Sequence, residues 1–253
     1  MQLNSLKEAV EGRLVAIPLF NEEATIASIV REIRRYYNDD ILVVNDGSTD
    51  CSKHLLDKLG DARVSLISHE VNLGYGQSLI DAFRYAIEKE YTALVTIDCD
   101  WQHEPKQIPE FFREIKNYDV VSGSRYYFDL KNNGIAPNDR YKINREITEK
   151  LAAVTRYKLT DSFCGFKAYK VSSLKRLELD ETGYAMPLQL WIQACAAGFK
   201  IKEIPVKRIY NNLNRSFGEI MDDPVKRLQY YLDVIEKELR KNESKCNANC
   251  FAS

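Results

Sequence analysis

Short apolar runs that alternate with amphipathic helical patterns constrain this chain more than any other feature. Residues 14–19, 41–44, 64–67 and 93–97 are rich in β-branched and aliphatic side chains, and each run is bounded by polar or turn-forming residues. Runs of this length and bounding predict strands buried on both faces. Between them, apolar residues recur three and four apart: Ile26, Ile29, Val30 and Ile33, then Leu79, Ala82, Phe83, Ala86 and Ile87, then Ile108, Phe111, Phe112 and Ile115. That spacing lines one face of a helix. The alternation predicts an α/β fold, a mostly parallel central sheet flanked by helices and joined by right-handed crossovers. With 253 residues, 45% of them hydrophobic, the chain can bury the core such a fold requires.

Ligands of open parallel sheets bind beyond the carboxyl ends of the strands. The polar clusters fall there: Asn21-Glu22-Glu23 after the first run, Asn45-Asp46-Gly47-Ser48-Thr49-Asp50 after the second, Asp98-Cys99-Asp100 after the fourth. Three such clusters at one edge of one sheet predict a site. Beyond Arg125 the pattern loosens. Residues 126–138 read as a polar, aromatic loop, 140–155 as a helix, and 166–169 and 201–206 as strands flanking a helix near 188–197. Asp222 or Asp223 can cap a last helix with Pro224 in its first turn, and Val225, Leu228, Leu232, Ile235 and Leu239 form its apolar stripe. From Ser244 a polar, disordered tail is expected. The expected division is a domain over 1–220, with a nucleotide-binding half (13–125) and an acceptor half (126–220), followed by the helix and tail (221–253).

Residues two apart on an extended chain point the same way, so Asp98 and Asp100 aim two carboxylates at one place. Unpaired, they would repel, and one would be pushed toward protonation. A hard divalent cation, Mg²⁺ or Mn²⁺, removes that cost and also ligates substrate phosphates, with Gln102 able to add a carbonyl oxygen. The bland alternative is a pair of solvated loop aspartates. Ser48, Thr49 or Asp50 can cap a helix, leaving Asp46 free for a ribose hydroxyl or base. Asn72-Leu73-Gly74-Tyr75-Gly76-Gln77 reads as a glycine turn into a helix, open to close approach of an anion. Arg125 and Arg215 are candidate phosphate contacts, against solvated arginines as the alternative. His54, His69 and His103 show no ligand spacing and read as surface or packing residues, although His103 adjoins the Asp pair. Trp101 or Trp191 could stack on a sugar or base; core packing suits Trp191 better.

Thirty-six basic and thirty-seven acidic side chains nearly cancel, so no overall field points to nucleic acid. The six cysteines lack paired metal spacing and read as idle thiols in a reducing compartment, with Cys246 and Cys250 the one pair placed to bind metal or oxidise. Charges interrupt the N-terminus where a signal peptide needs an apolar stretch, and no run of about eighteen apolar residues occurs. A cytoplasmic protein is expected, with any membrane contact made peripherally on the cytosolic face.

Together these segments resemble the family 2 glycosyltransferases of the GT-A fold, and within them the dolichyl-phosphate mannose synthases and related polyprenyl-phosphate glycosyltransferases. The resemblance spans about residues 13–217. It rests on Ile17-Pro18-Leu19-Phe20-Asn21-Glu22, Val44-Asn45-Asp46-Gly47-Ser48-Thr49-Asp50, Asn72-Leu73-Gly74, Asp98-Cys99-Asp100-Trp101-Gln102-His103, Ser122-Gly123-Ser124-Arg125-Tyr126 and Asp161-Ser162-Phe163-Cys164-Gly165-Phe166-Lys167-Ala168-Tyr169. It implies a donor nucleotide on Pro18, Phe20, Glu22, Asp46, Ser48, Gly74, Gln77 and Asp98. It also implies a metal on Asp98, Asp100 and Gln102, and catalytic roles for Asp100, Arg125 and Arg215. The implied reaction moves a hexose, mannose favoured, from GDP-mannose or a UDP-hexose to a polyprenyl phosphate at the membrane surface.

Three departures stand out. Trp101 replaces the family's usual glycine before Gln102, so the sugar or acceptor pocket is expected to differ. Gln189 stands where a glutamate is common, and the usual Gly-x-Ser-Lys stretch appears only as Asn214-Arg215-Ser216-Phe217-Gly218.

A phosphate acceptor is already anionic near neutral pH and needs no strong base, whereas a hydroxyl acceptor would need one, for which Asp100 and Asp161 are candidates. The 126–135 loop and the last helix, with Lys226, Arg227, Lys237, Arg240 and Lys241, could touch the membrane, although packing of the helix on the core is favoured. Two other readings compete: a non-catalytic nucleotide-sugar binder, and a nucleotidyltransferase. The latter is disfavoured because residues 18–23 replace the glycine-rich basic loop it would carry.

Overall fold

The computed structural model describes residues 12–128, 138–209 and 218–250. In chain order the elements are β1 (Arg13–Leu19), α1 (Ile26–Arg34), β2 (Asp40–Asn45), α2 (Ser52–Asp57), β3 (Val64–Ser68), α3 (Tyr75–Glu88), β4 (Ala93–Thr96), α4 (Ile108–Glu114) and β5 (Val120–Ser124). They continue with α5 (Asn138–Thr155), β6 (Lys167–Lys170), α6 (Val171–Leu174), α7 (Met186–Ala196), β7 (Ile201–Pro205), α8 (Glu219–Asp222) and α9 (Pro224–Cys250).

The seven strands form one sheet in the order β3-β2-β1-β4-β6-β5-β7. β1 pairs in parallel with β2 and β4, as do β2 with β3 and β5 with β7. β6 runs antiparallel to both neighbours, β4 and β5. The sheet is thus mostly parallel, as the alternation predicts, with one reversed strand in its middle that local pattern could not reveal.

Side-chain alternation along the strands separates two cores. Leu14 and Ala16 of β1 join Leu42, Val44 and Leu94 under α3, α5, α7 and α9. Val15, Ile17 and Leu19 join Ile41, Val43 and Val95 under α1 and α4. Both faces of the sheet are covered, which is why these runs are apolar without a break. The helical stripes face inward as their spacing requires: Ile26, Ile29, Val30 and Ile33 are all buried.

α9 starts as expected, with Asp223 Oδ1 accepting the backbone N–H of Val225 (2.9 Å) and Lys226 (3.2 Å). It then continues to Cys250, through residues expected to form a disordered tail. Its inward face also differs from the expected stripe. Val225 is 77% exposed, whereas Arg227, Tyr231, Val234, Ile235 and Glu238 are buried. The polar pair is accommodated because it is bonded. Arg227 reaches Asp139 Oδ2 (2.7 Å) and the Met221 carbonyl (2.5 Å), and Glu238 accepts from Gln189 (2.9 Å) and Gln193 (3.1 Å). Gln189 therefore does structural work, joining α7 to α9 and to the 180–181 backbone. No helix among the described residues is long and apolar enough to cross a membrane. Cys51, Cys99, Cys164 and Cys195 are free thiols; the side chains of Cys246 and Cys250 lie outside the described set.

Candidate active site

β1, β2 and β4 lie side by side and in parallel, so their carboxyl ends open on one edge. Above it is a cavity of about 360 Å³. Pro18, Phe20, Glu22, Asp46 and Gly74 line it, as do Asp98, Asp100, Gln102 and Arg125. Nine expected site residues thus converge. Ser48 and Gln77 do not reach it, and Arg215 lies outside the described residues.

Much of the motif chemistry is spent on holding the loops. Asn21 N–H donates to Ser48 Oγ (3.0 Å), Glu22 N–H to Ser52 Oγ (3.0 Å) and Glu23 N–H to Asp50 Oδ2 (3.0 Å). In return Thr49 N–H donates to Asn21 Oδ1 (2.8 Å) and Cys51 N–H to Glu23 Oε2 (2.9 Å). The loops after β1 and β2 are laced into one unit, and Ser48 takes part in the lacing without lining the cavity. Gln77 likewise donates to Asp81 Oδ2 (2.8 Å). Asp46 lines the cavity but is not the free ligand the sequence suggested. It is 3% exposed, and its oxygens accept the N–H of Leu73 and Gly74, each at 2.8 Å. Gly74 takes φ +108, and a Cβ there would strike the Thr182 carbonyl. The turn therefore requires glycine.

Asp98 and Asp100 open into the same cavity. Asp98 Oδ1 accepts from the Tyr75 hydroxyl at 3.2 Å, and Asp100 Oδ1 accepts the Gln102 N–H at 3.1 Å. A Cβ on Gly165, in the turn before β6, would collide with the Asp98 carboxylate. No cluster of three or more His, Cys, Asp or Glu side chains suited to a metal occurs among the described residues. Two carboxylates and an amide on an open cavity nonetheless suit Mg²⁺ or Mn²⁺, since Mg²⁺ is commonly held by one or two carboxylates plus substrate phosphates rather than by an all-protein cage.

Trp101 takes φ +61, a left-handed conformation that glycine adopts freely and other residues at a cost. Its indole N–H donates to Ser28 Oγ (3.2 Å), and it packs beside the α1/α4 core, outside the cavity lining. The indole therefore does not shape the cavity wall directly. Trp191 is fully buried.

Arg125 lines the cavity with its fork committed: Nε lies 2.6 Å and Nη2 2.9 Å from the two oxygens of Asp161. Burial by itself would raise the Asp161 pKa, but Arg125 and Asn144 outweigh it and hold the carboxyl down to about 2. Fully buried and ion-paired, Asp161 is unsuited to the base role considered for it. His103, 2% exposed, is pushed down to about 3 by burial and by the nearby Arg125 charge, so it stays neutral.

Sequence reasoning missed part of the lining. Arg140 and Asn144 come from α5, Arg227 and Tyr231 from α9. Nothing local marks them; the one hint was a cation next to the apolar stripe of the last helix. The cavity is therefore walled partly by the segment expected to lie outside the domain.

Residues 14–178 match the description Glycosyl transferase family 2. The chain is 30% identical to UDP-N-acetylglucosamine–dolichyl-phosphate N-acetylglucosaminyltransferase of Methanococcus voltae, over 80% of this chain and 87% of the relative. It is 27% identical to undecaprenyl-phosphate mannosyltransferase of Micrococcus luteus, over 80% and 86% of the two chains. Glucosyl-3-phosphoglycerate synthase of Mycobacterium tuberculosis superposes with a TM-score of 0.69, covering 91% of this chain and 80% of that one at 20% identity, a likeness of fold. With its mostly parallel GT-A sheet and the matched segment running from β1 through β6, this chain belongs to the family 2 glycosyltransferases.

Proposed function

We propose that this glycosyltransferase moves a hexose from a nucleoside-diphosphate sugar to a polyprenyl phosphate, with Mg²⁺ or Mn²⁺ held by Asp98, Asp100 and Gln102. The observation that carries this reading is the single cavity shared by the Asp98/Asp100 pair and by Arg125, Arg140 and Arg227. The relatives named for dolichyl-phosphate and undecaprenyl-phosphate reactions support a lipid phosphate as acceptor. Metal-bearing complexes of the structural neighbour support the ion.

The donor's nucleotide lies among Pro18, Phe20, Glu22, Asp46 and Gly74, its diphosphate toward Asp98 and Asp100. When bound, the ion supplies charge neutralisation of the departing diphosphate. Arg140 and Arg227 hold the acceptor phosphate, whose oxygen attacks the anomeric carbon with inversion as the bond to the diphosphate breaks. The attacking oxygen carries negative charge beforehand, so no base is required. Arg125 lines the same site with its guanidinium fixed in place by Asp161. Tyr127 and Phe128, 45% and 53% exposed, directly follow the cavity residue Tyr126 and provide apolar surface for the lipid chain at a membrane.

Mannose is the favoured sugar, and the two relatives separate the choices: one is named for mannose, the other for N-acetylglucosamine. Calorimetry of UDP- and GDP-sugars with Mn²⁺, followed by transfer assays onto polyprenyl phosphate and onto a neutral polyprenol, tests the proposal. Transfer to the phosphate alone is expected. Turnover with a hydroxyl acceptor and none with the phosphate would overturn the acceptor assignment; binding without turnover on any acceptor would favour a nucleotide-sugar binder.

A further inference from the structure

Behind the donor loop, Asp46 is joined by His69 and Asp81, two side chains to which the reaction above gives no task. The His69 side chain, 9% exposed, stands between two carboxylates: Nδ1 is 2.7 Å from Asp46 Oδ1 and Nε2 is 3.1 Å from Asp81 Oδ2. One ring thus spans the two side chains, each nitrogen within hydrogen-bond reach of a carboxylate oxygen. Asp81, on α3, also accepts from Gln77 (2.8 Å) and from Arg84 (3.1 Å). The His69 backbone N–H donates to the Asn45 carbonyl at 2.9 Å, and a Cβ on Gly47 would strike the backbone of Val71 and Asn72. These contacts bind the end of β2, the 69–74 loop and the first turns of α3 into one body. That body reaches the acidic pair through Tyr75, which donates to Asp98.

Without the imidazole, Asp46 Oδ1 would keep only the Leu73 N–H, and nothing would brace its carboxylate on the Asp81 side. A carboxylate without that brace can rotate away from the loop amides it accepts. That rotation would loosen the Gly74 turn, whose backbone N–H donates to Asp46 Oδ2.

We propose that His69, backed by Asp81, is a positioning residue for donor binding. It fixes the Asp46 carboxylate, and through it the Asn72–Gly74 backbone against which the nucleoside diphosphate lies. His69 itself is outside the cavity lining, so it acts through Asp46 and not on the donor. The inference rests on the donor assignment made above.

The test is calorimetric titration of UDP and of GDP, each with Mn²⁺, into the wild type, His69→Ala, His69→Gln and Asp81→Asn. Donor KM, kcat and thermal unfolding are measured on the same proteins. In His69→Ala, Kd and KM should rise about tenfold, the cost of losing a hydrogen bond to a buried charge, while kcat changes less than about threefold. His69→Gln retains one donor and should recover part of the affinity; Asp81→Asn should show a smaller loss of the same kind. If His69→Ala does not fold, the other two variants carry the comparison. Unchanged affinity in the folded variants, or a fall in kcat at constant KM, would overturn the inference while leaving the donor assignment in place. A wild type that binds neither nucleotide would remove both.

Discussion

The cavity's carboxylates and cations come from different stretches of the chain. Up to residue 102 the lining contributes Glu22, Asp46, Asp98 and Asp100; from residue 125 onward it contributes Arg125, Arg140 and Arg227. An acidic wall can receive an anionic diphosphate only with a cation between them, whereas a basic wall receives an anion directly. On the proposed function, the contrast would let one cavity treat two phosphate-bearing substrates differently, the donor through a metal and the acceptor through arginines.

That contrast can be broken at several points. The largest effect is expected from Asp98→Ala or Asp100→Ala. Each should lower kcat by about 10³-fold through loss of metal-dependent charge stabilisation. Circular dichroism should be unchanged, and phosphate acceptor affinity should move little. Near-wild-type turnover in either variant would end the metal reading. Next comes Gly165→Ala, whose methyl group has no space beside the Asp98 carboxylate. A displacement of that carboxylate by about 1 Å should cost roughly 10²-fold in kcat/KM.

Arg227→Gln addresses the basic wall. Acceptor KM should rise about tenfold, as expected for a lost charge-assisted contact, with donor KM unchanged. A donor effect of equal size would erase the distinction between the walls.

The Arg125–Asp161 pair gives a pH prediction. Asp161 is held at about 2, below its ordinary 3.8. The folded state thus binds this proton less readily than the unfolded chain. The stability the pair contributes is complete above about pH 4 and declines as pH falls toward 2. Melting temperatures of the wild type and Asp161→Asn should therefore converge on acidification through that window. The smallest effect is expected from Trp101→Gly: with the indole outside the cavity, both KM values should stay within about twofold, because the interactions removed do not touch substrate.

Legibility in the sequence follows the same division. β1 to β4 and helices α1, α3 and α4 were readable because a buried strand or helix face repeats within a few residues of itself. Even there the meaning of single residues was misjudged. Ser48 and Gln77 look like ligands by motif, yet they bond to neighbouring loop and helix residues and do not line the cavity, and Trp101 also lies outside the lining. In the later half, β6 runs antiparallel between β4 and β5, a pairing set by contacts 45 to 77 residues apart. On α9, Arg227 and Glu238 occupy the buried face because Asp139 and Gln189 happen to meet them there. No periodicity encodes such a meeting.

By itself, then, the amino-acid order determined the strand–helix alternation, the parallel majority of the sheet and the placing of Asp98 and Asp100 at a strand's carboxyl end, since each depends on near neighbours along the chain. Tertiary structure decided which polar groups remain available to a ligand. A carboxylate such as Asp46 or Asp161 is defined chemically by the donors and charges that surround it, and these arrive from segments whose proximity only folding creates.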